Sequence, residues 1–363
     1  MPSKAETNPT MRDFLTRLLD VPGPSGHEAA AAAEWRSEAE RFSDRVWCDV
    51  HGSAFAEIGA GGSPTVMLAG HIDEIGLMIH HIDDSGYLYL QPVGGWDPQV
   101  LVGQRVDILG DRGPVTGVIG RAAPHLMEKE EREKAVKIKD LWIDIGARGD
   151  AEARSRVGIG DVAVIRSDTV RLGEGRLAAR SVDDRVGAAV ALEALRRAKQ
   201  KGAMAHVVAV ATTQEEIGAR SGGGARTSSY EVDPAAAIVI DVTHATDHPQ
   251  IDQKEHGDVK LGGGPVLSRG AVINPALYRK LVEAAESAGI PFQVLASPSA
   301  SSTDADNIFT SRAGVATAIV SVPNRYMHSP NQMVDFADVE RAAELVGECL
   351  ARLPARATFL PEA

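Results

Sequence analysis

Five stretches of the 363-residue chain hold side chains suited to chemistry. His71 and Asp73 stand in Ala69-Gly-His-Ile-Asp-Glu-Ile-Gly76. A His-x-Asp pair lets a carboxylate fix the tautomer of an imidazole whose other nitrogen faces a metal. The same residues also make an ordinary turn. Asp183 and Asp184 precede a helical pattern. One aspartate there is a common N-cap, but two adjacent acids repel each other and call for a nearby cation. Glu215 and Glu216 follow the apolar stretch 207–213. Paired carboxylates at the end of a buried strand carry a desolvation cost unless something positive offsets it. Asp241 follows the run Ala235-Ala-Ala-Ile-Val-Ile240, and His328 comes after apolar residues 315–322.

Each group alone has a structural explanation; their shared placement does not. All five sit at or beyond a predicted strand end or at the start of the following helix, where open α/β sheets gather their functional groups. They offer two histidines, several carboxylates and no thiolate. The only cysteines are Cys48 and Cys349, which excludes a disulfide framework and a cysteine zinc site. A nitrogen and oxygen donor set suits zinc or cobalt, as one ion or as two sharing a carboxylate. A glutamate outside the ligand set would then serve as general base on an activated water. His80-His81 falls in a strand pattern whose alternation sends the rings to opposite faces, which disfavours a metal shared between them. His244, His248 and His256 form a polar region that reads as a solvated loop or a pocket lining.

The elements that must position these groups follow from periodicity. Residues 11–19 and 28–41 read as helices around the turn cluster Val21-Pro-Gly-Pro-Ser-Gly26. Residues 46–49, 54–58 and the wholly apolar 65–69 read as strands, the last of the kind buried on both faces. From 74 to 166 the rhythm changes to short, glycine-punctuated strands at 77–81, 87–92, 105–109, 115–119, 141–144 and 162–165, which predicts a small β-barrel. The charged stretch 128–139 interrupts it as a solvated helix or lid loop. After 166 the α/β rhythm returns, with strands at 207–213, 236–242, 292–295 and 315–322. Helices are expected at 184–198, 275–288 and 336–353; the second opens with Asn274 as N-cap and Pro275 at N1. The organisation predicted is an α/β domain in two parts, 1–73 and 167–363, interrupted by a β insert at 74–166.

Composition narrows the partners. Apolar residues make up 44% and charged residues 24%, so most of the chain is globular. With 38 basic against 50 acidic residues the net charge is −12, which disfavours nucleic acid and anionic membrane as partners. No apolar run is long enough to span a bilayer, and the first twenty residues lack the apolar core of a signal peptide. A cytoplasmic protein is expected.

The constellation resembles the tetrahedral-aminopeptidase family of dinuclear metallopeptidases, which includes glutamyl and deblocking aminopeptidases. The likeness runs from Gly23-Pro-Ser-Gly-His-Glu28 to His328-Ser-Pro330. It implies a metallopeptidase-type α/β/α sandwich with an inserted small β-barrel domain. It further implies that His71 and Asp241 bind one divalent ion and Glu216 and His328 a second. Asp183 would bridge both, Glu215 would be the general base, and Asp73 would orient His71. A cis Asp183–Asp184 peptide belongs to the same pattern. Pro124-His125-Leu126 and Trp142-Ile-Asp-Ile-Gly-Ala147 match more weakly, in an insert that would be the dimerisation domain. The substrates implied are peptides cut at their N-termini by a homo-oligomer, from a dimer up to a tetrahedral dodecamer. Three departures bear on the substrate pocket: extra residues after Glu215-Glu216-Ile-Gly218, an unmatched Asp247-His248-Pro249, and Ser301-Ser302-Thr-Asp304 in place of Gly-Gly-Thr-Asp. Two other classes stay in view. A glycoside hydrolase of endoglucanase type would use Glu215 with a second carboxylate, although aromatics for sugar stacking are scarce at 4%. A non-catalytic scaffold or binding protein would need no intact site.

Overall fold

A computed structural model describes residues 10–218 and 223–360. Helix Met11–Asp20 opens under a capping box, in which the Thr10 side chain accepts from Asp13 N–H and the Asp13 carboxylate accepts from Thr10 N–H. Its apolar stripe of Phe14, Leu15, Leu18 and Leu19 is buried. Helix Ala29–Ala39 follows, shorter than predicted at both ends. Strands β1 (Arg45–Cys48), β2 (Ala54–Ile58) and β3 (Thr65–His71) then enter the main sheet. The chain leaves it for β4 (Gly76–Ile82), β5 (Leu88–Val93), β6 (Arg105–Leu109), β7 (Val115–Gly120), β8 (Trp142–Asp144) and β9 (Val162–Ile165). These six close a barrel in the order β4-β5-β8-β7-β6-β9. Its interior is filled by Leu77, Ile79, Leu88, Val106, Ile119 and Ile143.

Strands β10 (Val170–Leu172) and β11 (Arg176–Ala179) lead back to the main fold. There β12 (His206–Thr212), β13 (Ala236–His244), β14 (Val266–Gly270), β15 (Gln293–Ser297), β16 (Ala316–Asn324) and β17 (Gln332–Asp335) follow. The main sheet runs β1-β2-β12-β3-β13-β16-β14-β15, and its centre, β12-β3-β13-β16, is parallel. Val66 and Leu68 of β3 face one core and Met67 and Ala69 the other. Burial on both faces is why this strand shows no polar alternation. Helix Val182–Gln200 lies on the first face between the sheet and helices Met11–Asp20 and Phe336–Arg352. Gly70 and Gly187 meet backbone to backbone there, an approach that a Cβ at position 70 would block. The α/β sandwich with a barrel insert is the predicted architecture.

Several local expectations fail for physical reasons. The stretch 128–139, expected as a solvated helix or a lid loop, holds only the short helix Lys129–Arg132 and a turn at Ile138–Asp140; its charges leave no apolar stripe to dock a longer helix. Strands β13 and β16 outrun their predicted ends because they pair in parallel from Ala236↔Ala316 to His244↔Asn324. Asp241 therefore lies inside β13, not at its end. A register shift between Ile79 and His81 leaves both His80 and His81 exposed, against the alternation assumed for them. Strand β14, the β10-β11-β17 sheet and helices Asp150–Arg156 and Gly223–Val232 had no clear periodic signal. Among the described residues no helix is long and apolar enough to cross a membrane.

Candidate metal centre

Parallel pairing puts the C-terminal ends of β3, β12, β13 and β16 on one edge, and the candidate residues meet there. His71 is the last residue of β3, in register with Thr212. Glu215 and Glu216 start the turn of helix Glu215–Gly218, after Gln214 reverses the chain at φ 61°. Asp183 and Asp184 form a non-helical kink at the head of Val182–Gln200, and the peptide between them is cis. His328 lies between β16 and β17 at φ 58°.

The geometry is tight. His71 Nε2 lies 3.1 Å from Asp183 Oδ1 and 3.9 Å from Glu215 Oε2. His328 Nε2 lies 3.4 Å from both Asp183 Oδ2 and Glu216 Oε2. His71, Asp183 and Glu216 offer ligand atoms all within 4.8 Å of one another, as do His71, Asp184 and Asp241. Asp184 nonetheless spends its oxygens on backbone, accepting from His71 N–H at 3.1 Å and Gly187 N–H at 3.0 Å. Asp183 thus stands between the two imidazoles.

The supporting contacts were largely invisible in the sequence. Asp73 Oδ1 lies 3.4 Å from His71 Nδ1. The same carboxylate accepts from Ser25 Oγ at 2.6 Å and from the N–H groups of Glu215 and Glu216 at 3.1 Å each. It therefore anchors the glutamate pair as well as the imidazole. Glu28 accepts from Gln214 N–H at 3.2 Å and steadies the same turn. Gln332 Oε1 accepts from Asp183 N–H at 2.9 Å. From the barrel side, a Cβ at Gly95 would come 3.2 Å from His328 Nδ1, and one at Gly94 would come 3.5 Å from Glu216 Cβ. Nothing local to these residues announces such partners.

Electrostatically, carboxylates outnumber the two imidazoles at the site. Burial, the largest cause, pushes Glu215 up to about 9 and Asp241 up to about 8. Burial and then neighbouring carboxylates hold Glu216 and Asp184 well above the ordinary range. Burial also presses upward on Asp183, but His328 and His71 outweigh it and hold Asp183 low. Burial would lower His71, yet Asp183 and Asp73 raise it well above the usual imidazole value. Glu216 Oε1 is buried without a hydrogen-bond partner. Such an atom costs about 1–3 kcal/mol unless a cation meets it. An orphaned oxygen, crowded carboxylates and convergent imidazoles are what a divalent-ion site requires.

A profile of the M42 glutamyl aminopeptidase family matches residues 52–345. The chain belongs to this family. M42 membership makes it an aminopeptidase, a hydrolase of peptide bonds. The chain is 36% identical to a lysyl aminopeptidase of Pyrococcus furiosus, over 94% of this chain and 97% of that one. Its fold matches the TET aminopeptidase of Thaumarchaeota archaeon SCGC AB-539-E09 with a TM-score of 0.89 at 35% identity, covering 94% and 96% of the two chains. It also matches a Pyrococcus horikoshii TET1 peptidase, described as assembling into a tetrahedron or a large octahedral shell, with a TM-score of 0.82 at 31% identity, covering 95% and 100%.

Other candidates of this M42 chain fall around the centre. His244 and His256 are exposed, and His248 packs 5.7 Å from the Tyr326 ring. Asp247 is taken up by an ion pair with Arg325 at 2.8 Å. The extra residues after Gly218 lie partly at 219–222, outside the described residues, as does the chain start at 1–9. Ser302 adopts φ 57°, a conformation that glycine favours, and its N–H donates to Asp306 Oδ2 at 2.8 Å. Asp304 accepts from the Thr212 hydroxyl and is pushed up to about 6, mainly by burial.

Proposed function

We propose that the chain is a dinuclear metal-dependent aminopeptidase that removes N-terminal residues from peptides, with Glu215 as general base. The observation that carries this reading is the convergence of two imidazoles on Asp183 beside the orphaned Glu216 oxygen. His71 and Asp241 would hold one ion, zinc or cobalt, and Glu216 and His328 the other, with Asp183 shared. Asp184 approaches His71 and Asp241 too, but its bonds to backbone assign it to positioning. When bound, the two ions would polarise the scissile carbonyl and acidify the attacking water.

Asp73 keeps His71 in one tautomer and holds the Glu215-Glu216 turn at the correct height. Glu215 takes a proton from the water and delivers it to the leaving amine. A cavity of about 190 Å³ opens beside Glu215, lined by Ser302, Thr303, Asp304, Asp306 and Asn307, with Ala300 the one apolar side chain among its described lining residues. It would seat the side chain of the N-terminal residue, and its polar, acidic wall favours polar or cationic side chains. The barrel domain, 74–166, would join subunits into a homo-oligomer, from a dimer up to a dodecamer, placed in the cytoplasm. Glycoside hydrolysis has no use for His71 and His328, and a scaffold has no use for the orphaned carboxylate.

The test is a pair of variants. Glu215→Gln should leave two ions bound per subunit and lower kcat by about 10²–10⁴-fold. Glu216→Gln should reduce the bound metal itself. Full activity in chelator, or the reverse pattern in the two variants, would overturn the assignment.

A further inference from the structure

Behind the site, Glu74 and Arg185 form an ion pair at 3.1 Å with side chains 2% and 0% exposed. The Arg185 guanidinium makes more than that pair. Its Nε donates to Ile72 O at 3.2 Å, and its Nη1 donates to Leu18 O at 2.7 Å and to Val21 O. Ile72 lies between His71 and Asp73, and Arg185 itself follows Asp183-Asp184. One side chain therefore clamps the backbone of both ligand-bearing segments together. It also ties them to the end of helix Met11–Asp20, whose last carbonyls need donors.

Building on the dinuclear reading above, we propose that Arg185 is a positioning residue that sets the spacing between the His71–Asp73 segment and the Asp183–Asp184 segment, and with it the fit of the site for its ions. Only a planar fork with five donors can reach Ile72 O, Leu18 O, Val21 O and Glu74 at once. Gly23 belongs to the device: a Cβ there would lie 2.8 Å from Arg185 Nη2, and Gly23 N–H donates to Glu74 Oε1 at 3.0 Å. The structure also supplies a control. Arg180 flanks the same glutamate, its Nε 3.2 Å from Glu74 Oε2. It donates to Leu19 O and Asp20 O, not to Ile72.

The experiment titrates chelator-treated protein with zinc and with cobalt by calorimetry, for wild type, Arg185→Lys, Gly23→Ala and Arg180→Lys. The metal-free melting temperature, kcat and KM are read alongside. Arg185→Lys should weaken metal affinity about 10–100-fold, as losing a group that orients ligands typically does. Gly23→Ala, which changes no charge and sits at a φ outside the left-handed region, should weaken it in the same direction. Arg180→Lys should lower the melting temperature but leave metal affinity within about twofold of wild type, because its side chain makes no bond to Ile72. At saturating metal, Arg185→Lys should lower kcat with KM unchanged. If Arg185→Lys does not fold, Gly23→Ala decides. Wild-type affinity in both variants, or equal loss in Arg180→Lys, overturns the proposal. Failure of the wild type to bind ions would instead overturn the dinuclear reading.

Discussion

Stripping the ions should turn the site into a proton store. Without metal, burial raises Glu215 to about 9 and Asp241 to about 8, and Glu216 and Asp184 are raised as well. In the unfolded chain such carboxylates titrate near 4, so from roughly pH 4 to 8 the folded, metal-free chain holds more protons than the unfolded one. The stability these groups contribute is complete below that window and is lost as pH climbs through 8 and 9. His71, also raised, acts in the same direction. Asp183 and Asp73 are held low, so their contribution is lost only in acid and does not offset this trend. Ions must expel the stored protons to bind. With Glu215 and Asp241 each giving up one, and Glu216 and His71 raised as well, affinity should rise by at least about 10³-fold between about pH 6 and 7.5. Calorimetric zinc titrations near pH 7, in buffers of different ionisation heat, count the protons; at least two per subunit are expected. In parallel, the melting temperature of the metal-free protein should fall from about pH 6 to 8.5, while that of the loaded protein stays nearly flat. Zero proton release, or metal-free stability that rises with pH over this window, would refute the reasoning.

Gly95→Ala should push a methyl against the His328 ring and lower kcat/KM by about tenfold, with unfolding free energy changed by less than about 1 kcal/mol; kinetics and urea unfolding measured together check both halves. Asp306→Asn should reduce kcat/KM for lysyl and arginyl arylamides more than for leucyl or phenylalanyl ones, because a carboxylate leaves the cavity wall; equal losses across the panel would remove that cavity from selectivity. Sedimentation at micromolar concentration should show a homo-oligomer, and a fully active monomer would sink the subunit-joining role of the barrel.

How much was legible in the sequence differs by residue. His71 could be found because an entirely apolar strand must end in something, and His-x-Asp is an economical way to hold an imidazole. The glutamate pair stood out because two acids beside a buried strand need a cation. Asp184 looked like a twin of Asp183, and only the hydrogen bonds from His71 N–H and Gly187 N–H distinguish its surroundings. Glu74, Arg185 and Gln332 carried no signal, since their partners are distant in the chain and neither spacing nor periodicity encodes such meetings. The barrel strands were readable from glycine punctuation, whereas β14, five residues paired between β16 and β15, was too short to show a pattern.

Strands β4 and β9 pair with each other through Leu77↔Ala163 and Met78↔Val162. The chain therefore enters and leaves the barrel side by side, and no barrel strand is shared with the eight-stranded sheet. Such an insert behaves as a cassette. Its outer turns can be lengthened, recharged or exchanged between relatives without displacing a strand that carries a ligand. Natural variation can thus remodel the barrel's outer surface while the strands that bear His71 and Asp241 stay in place. That freedom stops at Gly94 and Gly95, which lean on Glu216 and His328. A transplanted barrel that brought a larger residue to this edge would arrive folded and still spoil the centre it covers.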